Sequence, residues 1–219
     1  MSLAEKSIFK LYNKCKKSNS NFFLVIIRFV TYKILYNKKI FLHQRVTVKG
    51  IKNIDITGYL EVGLRYVGFI HKTDRTYLNI KGKLNIKGTP YSIGRGCRFD
   101  IGPGAVVEIG RRGYINSNSL FVIMHKLIIG NDCVISWNCQ FLDDDFHQIE
   151  YEGRKESDNS IIIGDHVWIG SGAQLYKGTY VPDGCVVASN SVVRGVFTKK
   201  NVIIGGNPAR VIKENINWE

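Results

Sequence analysis

"IGDHVWIGSGAQLYKGTYVPDGCVVASNSV", from Ile163 to Val192, divides into sixes. Each unit opens with Ile, Leu or Val, and its fifth position is small or compact. The same beat runs through "IGNDCVISWNCQFLDDDF", from Ile129 to Phe146. A period of six belongs to the parallel β-helices: each unit makes one flat face and one turn, and three units close a triangular coil. The opening aliphatic points inward and stacks on its equivalent one coil away. No coil buries its own interior, so stability comes from stacking neighbours. Glycine at position two is expected to give the turn a backbone geometry that a side chain would hinder. A β-sandwich with glycine turns explains isolated matches, but not units held in one phase.

Upstream the phase loosens. Openings at Ile93, Ile101 and Ile109 are spaced by eight, which predicts wider, irregular first coils. Cys97, Cys133, Cys139 and Cys185 all occupy position five of their units. That shared position marks them as reduced, buried fillers rather than metal ligands or nucleophiles.

With 219 residues, 44% hydrophobic content and 22 glycines against 4 prolines, the chain suits one sizeable domain rich in tight turns. The net charge is +13, of which +10 accrues by Lys49. Residues 1–45 therefore read as a basic, partly apolar arm or cap, 46–212 as the β-helix, and 213–219 as a tail. A basic arm suits an anionic membrane surface or an acidic polymer. Nucleic acid is excluded, because no recognition motif or aromatic stacking platform accompanies the charge. "NFFLVIIRFV" at 21–30 is too short to span a bilayer and contains Arg28. It also lacks a signal-peptide cleavage site. The expectation is a cytoplasmic protein at the inner face of the membrane. Phe22 to Tyr36 reads as a helix, or helix plus strand, covering the open end of the solenoid.

One stretch breaks the beat. In "FLDDDFHQIEYEGRKESDNS", 141–160, acidic side chains gather around the single histidine His147.

From Leu127 to Ile212, with "VWIG" at 167–170 and "GGNPAR" at 205–210, the chain resembles the hexapeptide-repeat acyltransferases. The similar branch holds the maltose, galactoside and streptogramin acetyltransferases and the capsule or lipopolysaccharide sugar O-acetyltransferases. The resemblance implies an all-β fold: a left-handed parallel β-helix with an N-terminal helical or irregular cap and one excluded loop, here near 147–160. It implies a homotrimer with active sites between subunits, acetyl-coenzyme A as co-substrate, and no metal. His147 stands where that family carries its general base. Arg154 matches the arginine seven residues on, while Gln148 replaces the usual proline.

A sugar hydroxyl is a poor nucleophile, so an imidazole near neutral pKa must take its proton as it attacks the thioester. Asp143, Asp144 and Asp145 compete to orient that imidazole, and Asp144 matches an aspartate of glycan-modifying relatives. Asp145 is placed with Asn116 and Asn118 at the acceptor. The resemblance puts Trp168 beside the pantetheine and donors around Gly170 and Ser171 at the oxyanion. Arg210 matches a phosphate contact of coenzyme A. Arg194 and Gly195 replace a Thr-Lys pair there, with Lys199 nearby.

The expected function is acetyl-coenzyme A-dependent O-acetylation of a sugar hydroxyl on a bacterial surface glycan or its precursor, by direct transfer. Acetylation of an amino sugar or of a small molecule such as an antibiotic is the alternative. A non-enzymatic scaffold gives no reason for a histidine before an excluded loop. A zinc site of the γ-type carbonic anhydrase kind needs His125, His147 and His166 to converge.

Overall fold

The opening residues of the hexads form the interior of three parallel sheets, called A, B and C in the order the chain visits them. In a computed structural model, residues 3–88, 90–147, 150, 152, 153 and 158–219 are described. In sheet A, Ile93 pairs across to Ile115, then Ile135, Ile169, Val187 and Ile204. Sheet B carries Phe99, Phe121, Phe141, Leu175 and Val193 in the same relation. Its first three rings stack at 4.3 and 4.6 Å. Ile109, Ile129, Ile163 and Val181 do the same in sheet C. All are buried. At about 1.5–3 kcal/mol for each large apolar side chain removed from water, this column is the main source of stability. All five cysteines are free and buried.

The position-two glycines serve a purpose other than the expected one. Gly130, Gly164 and Gly170 have no left-handed φ. Instead, a Cβ on Gly130 would lie 2.4 Å from Gly164 O, so these glycines let one coil's backbone rest on the next. The left-handed corner falls at position four, on Asp132, Asn138, His166, Gly172, Gly178, Gly184 and Asn190.

The first coils are longer but not irregular. Leu84 faces Val107, 23 residues on, whereas Ile161 faces Thr179, 18 residues on. Strands of four and five residues keep continuous register from Val46–Lys49 through Thr76–Ile80 to Arg98–Ile101. The extra length sits in the strands and corners.

Among the described residues the coil is left twice, where one excursion was expected. One, at 143–160, lies at the B/C corner: the chain leaves after Gln140–Leu142, with Asp143, and returns through Asn159 to Ile161–Ile163. Residues 63–75 depart at the A/B corner, between Leu60–Val62 and Thr76–Ile80. Sheet A also starts earlier than the sequence division suggested, because Ile40–Leu42 pairs with Leu60–Val62. At the far end Ala209–Lys213 turns back antiparallel on Ile203–Gly206.

Two helices precede the coil: α1 (Leu3–Lys17), which the sequence reading did not anticipate, and α2 (Phe22–Tyr36), which it did. Asn21 caps α2 by accepting from Leu24 N, and Asn37 ends it in a left-handed conformation. Phe29 of α2 stacks on Phe41 at 4.3 Å. Arg28 donates to the carbonyls of His43 and Val46 in the first coil. Cys15, Val25 and Leu64 form a small second core between helices and solenoid. One stripe of α2, Phe23, Ile27, Val30 and Ile34, remains exposed. Among the described residues no helix is long and apolar enough to cross a membrane.

Candidate active site

At the B/C corner the 143–160 excursion begins on a buried carboxylate. Asp143 accepts from the backbone N–H groups of Met124, His125 and Lys126 at 2.6–2.8 Å. Burial pushes its carboxyl above the usual range, against the pull of those three donors. The contacts fix the preceding coil's corner and the exit of the excursion together. Next, Asp144 accepts from Phe146 N at 2.5 Å and meets His125 Nε2 at 2.8 Å. These two contacts, in that order, hold its carboxyl below the ordinary value. Asn159, where the chain returns, contacts the same His125 nitrogen at 3.1 Å. Asp145 pairs with Lys177 one coil on, at 2.7 Å.

His147 is exposed, with Nδ1 3.2 Å from Asp145 O. A carbonyl only accepts, so this contact calls for the proton on Nδ1 and leaves Nε2 as a free base. Asp144, expected to orient His147, is committed to His125 instead. Asn159 and Lys177 were missed in the sequence, and His125 was weighed only as a zinc ligand, because their partners lie 19 to 34 residues away and come together only through the coil. Arg154 and Gln148 lie outside the described residues.

The other expected residues stand elsewhere. Trp168 lies on the outer face of sheet A, 41% exposed, and donates Nε1–H to Ser136 Oγ at 3.0 Å. Asn116 and Asn118 share the A/B corner with Gly170 and Ser171. The side chain of Asn118 sits over Gly96, as Asn190 sits over Gly172, so it belongs to a recurring corner arrangement. The amide of Gly170 is bonded to Val187 O at 2.8 Å, which removes it as an oxyanion donor; Ser171 N has no such partner among the described residues. Arg194 is exposed at the B/C corner of the last coil. Lys199 pairs with Glu214 at 2.6 Å. Arg210 Nη1 donates to its own residue's neighbour, Ala209 O, at 2.8 Å on the reversed strand. These three cations stand on different sides of the final coil. Trp218 was also missed: its ring stacks on His166 at 4.2 Å and lies 6.2 Å from Trp168.

The six-residue period has a match among known families. The bacterial transferase hexapeptide model, of six repeats, covers residues 160–195. A 24.8 kDa protein of the cps region of Klebsiella pneumoniae is 37% identical over 95% of this chain and 94% of its own length. The polysialic acid O-acetyltransferase of Neisseria meningitidis is 36% identical over 42% of this chain and 45% of that one. The chain belongs to the hexapeptide-repeat acyltransferases. A solved structure of AntD, a Bacillus cereus N-acyltransferase in complex with dTDP and 3-hydroxybutyryl-CoA, shares the fold. Its TM-score is 0.55 at 16% identity, covering 85% of this chain and 87% of that one.

In this hexapeptide-repeat acyltransferase the candidate groups divide into two sets. His147, Asp145 and Arg194 stand at the B/C corner, and Asn116, Gly170 and Ser171 at the A/B corner, with the width of sheet B between them. Trp168 joins the second set from sheet A. His166 converges with neither His125 nor His147. It sits at the C/A corner, its Nε2 against Trp218 O at 3.1 Å.

Proposed function

We propose that the protein is an acetyl-coenzyme A-dependent O-acetyltransferase acting on a sugar hydroxyl of a bacterial surface glycan or its precursor. The observation that carries this reading is His147 at the mouth of an excursion whose exit is pinned by Asp143, in a chain of acyltransferase ancestry. The coil is taken as left-handed, with α1 and α2 as its cap. The division of candidate groups between two corners supports a homotrimer, in which one subunit's B/C corner meets a neighbour's A/B corner.

His147 Nε2 accepts the proton of the acceptor hydroxyl, while Nδ1–H stays on Asp145 O and keeps the imidazole in the tautomer that can do so. The Asp145–Lys177 pair stiffens that carbonyl's position from the next coil. The open amide of Ser171 is the donor left to stabilise oxyanion charge, since Gly170 is engaged in the ladder. Trp168, Ser171 and Arg210 would hold acetyl-coenzyme A, which supplies the acyl group as a thioester. The half-exposed indole face and the uncommitted amide fit such a chain-like ligand. Incubation with acetyl-coenzyme A and candidate glycans, following thiol release and product mass, tests the reaction. Absence of acetylated product with neutral, acidic and amino sugars alike overturns it.

We place the protein at an anionic membrane face through its helices. The stripe Phe23, Ile27, Val30 and Ile34 is exposed on α2. It is flanked by an arm that carries +10 of the net charge by residue 49. Such a face lies in a bilayer interface rather than across it. Phe23→Ser with Ile34→Ser should abolish sedimentation with phosphatidylserine vesicles, and added salt should weaken it. Unchanged sedimentation of that variant returns the helices to a purely structural role.

A further inference from the structure

Arg95 is a guanidinium that the fold has buried without a counter-ion. Its residue is 5% exposed, its Nε is buried with no hydrogen-bond partner, and Nη2 donates to Ser18 O at the end of α1. Burying an unpaired charge is costly, so a site that retains one is built around something that compensates it. Arg95 lines a small pocket of about 90 Å³ beneath the 63–75 excursion, together with Lys17, Arg65, Tyr66 and Lys72. None of these four cations forms an ion pair with a described residue. The acid nearest in charge terms, Asp74, has its carboxylate engaged with His71 N at 3.0 Å. The excursion is fastened on both sides of the pocket. Arg65 lies over the Tyr114 ring at 3.6 Å, and Phe69 meets Trp137 edge-on at 5.7 Å.

A second, wider groove of about 510 Å³ adjoins it, sharing Lys17, Arg65 and Tyr66 and adding Tyr114 and Arg112. Small and cationic beside broad and part-aromatic is the pairing that suits a charged sugar: an anionic group in the first, a ring against the exposed Tyr66 in the second. The location agrees, because Arg95 O accepts from Asn118 N at 3.0 Å, which places the pocket one coil from the A/B corner residues.

We propose that this pocket binds one anionic group, a carboxylate or a phosphate ester, of an acidic glycan acceptor. The adjoining groove holds the sugar that bears it, at a distance from the hydroxyl that is acetylated. The proposal rests on the glycan reading above, and it requires binding even where no acyl donor is present.

The test is calorimetric titration of the full-length protein, without coenzyme A and at matched ionic strength, with three probes. Glucuronic acid presents a carboxylate, glucose 1-phosphate a phosphate ester, and glucose neither. Saturable binding of at least one of the two acids, at least tenfold tighter than glucose, is expected, and the preferred acid identifies the anion. Lys72→Gln with Lys17→Gln alters only exposed rim residues and should weaken that binding about tenfold or more. Arg95→Gln should abolish it; should that variant fail to fold, the rim variant alone decides. Equal binding of all three probes, or unchanged binding in the rim variant, overturns the site. Anion binding without acetyl transfer to any glycan keeps the pocket and sinks the acyltransferase reading, whereas transfer without anion binding does the reverse.

Discussion

The two excursions from the coil are opposites in chemistry and alike in mechanics. Residues 143–160 are acidic, leave at the B/C corner, and carry His147 beyond a carboxylate that holds three backbone N–H groups. Residues 63–75 carry cations and aromatic rings, leave at the A/B corner, and are held by ring contacts and a buried guanidinium below. In both cases the inward column resumes without loss of register: Ile161 faces Leu127 after the first, and Thr76 faces Val46 after the second. A solenoid of this type accepts insertions at its corners because the register of the inward column is carried by the paired strands between them. One corner can thus specialise for proton transfer and another for recognition, with little cost to the stack between them.

The sharpest way to break this comparison is His147→Ala. Loss of the general base should lower turnover on the order of 100- to 10,000-fold, while the melting temperature barely moves, because the side chain is exposed. Near-normal turnover in the folded variant with saturating acceptor would reject the assignment of chemistry to this excursion.

Asp143→Ala should act on the fold instead. It strips three part-buried backbone N–H groups of their acceptor, and a hydrogen bond to a charged group contributes about 1.5–3 kcal/mol, so denaturant titration should register a loss of at least about 1.5 kcal/mol. A variant as stable as the parent would mean that the exit is pinned by something other than this carboxylate.

His43, under the other excursion, offers a pH measurement of similar size. It is fully buried, with Nδ1 accepting from Arg45 N at 3.1 Å and Nε2 without a partner. Burial first, then the nearby Arg95, Arg45 and Arg28, lowers its pKa from 6.5 to about 4. The unfolded chain therefore takes up a proton that the folded chain refuses. No stability is lost above pH 6.5, and the loss grows as pH falls, to about 3 kcal/mol near pH 4. His43→Gln should remove this slope between pH 7 and 5 from a plot of unfolding free energy against pH. An identical slope in both proteins would place the titrating group elsewhere.

The smallest effect should come from Asp144→Asn. Its carboxylate holds His125, not His147, so turnover should fall less than tenfold. A loss approaching that of His147→Ala would tie the two histidines into one proton-transfer unit.

The hexad made the downstream half of this architecture readable because each inward position repeats its neighbour's chemistry. Ile163, Ile169, Leu175 and Val181 needed no partner to be recognised. The same logic found His147, the one histidine at a break in the beat. The excursion at 63–75 was hidden because the repeat has not yet settled into phase there, so nothing marks an interruption. Helix α1 was hidden by composition: its lysines mask an apolar side that acquires meaning only against Val25 and Leu64. The partners of Asp144 and the burial of Arg95 depend on which corners stack, and no spacing along the chain reports that.

A stack of parallel strands contains no internal instruction to stop. Each finished coil offers the next chain the same ladder of donors and acceptors that it offered its own, as the growing end of a fibril does. Here the last strand of sheet A, Ala209–Lys213, runs against the grain of every strand before it. It therefore presents an edge whose bonding pattern no further parallel coil can continue. At the opposite end Arg28 occupies the carbonyls of His43 and Val46 in the first coil. The reversal that carries Arg210 is thus also a terminator of sheet A, a stop written into a fold with the geometry of a fibre.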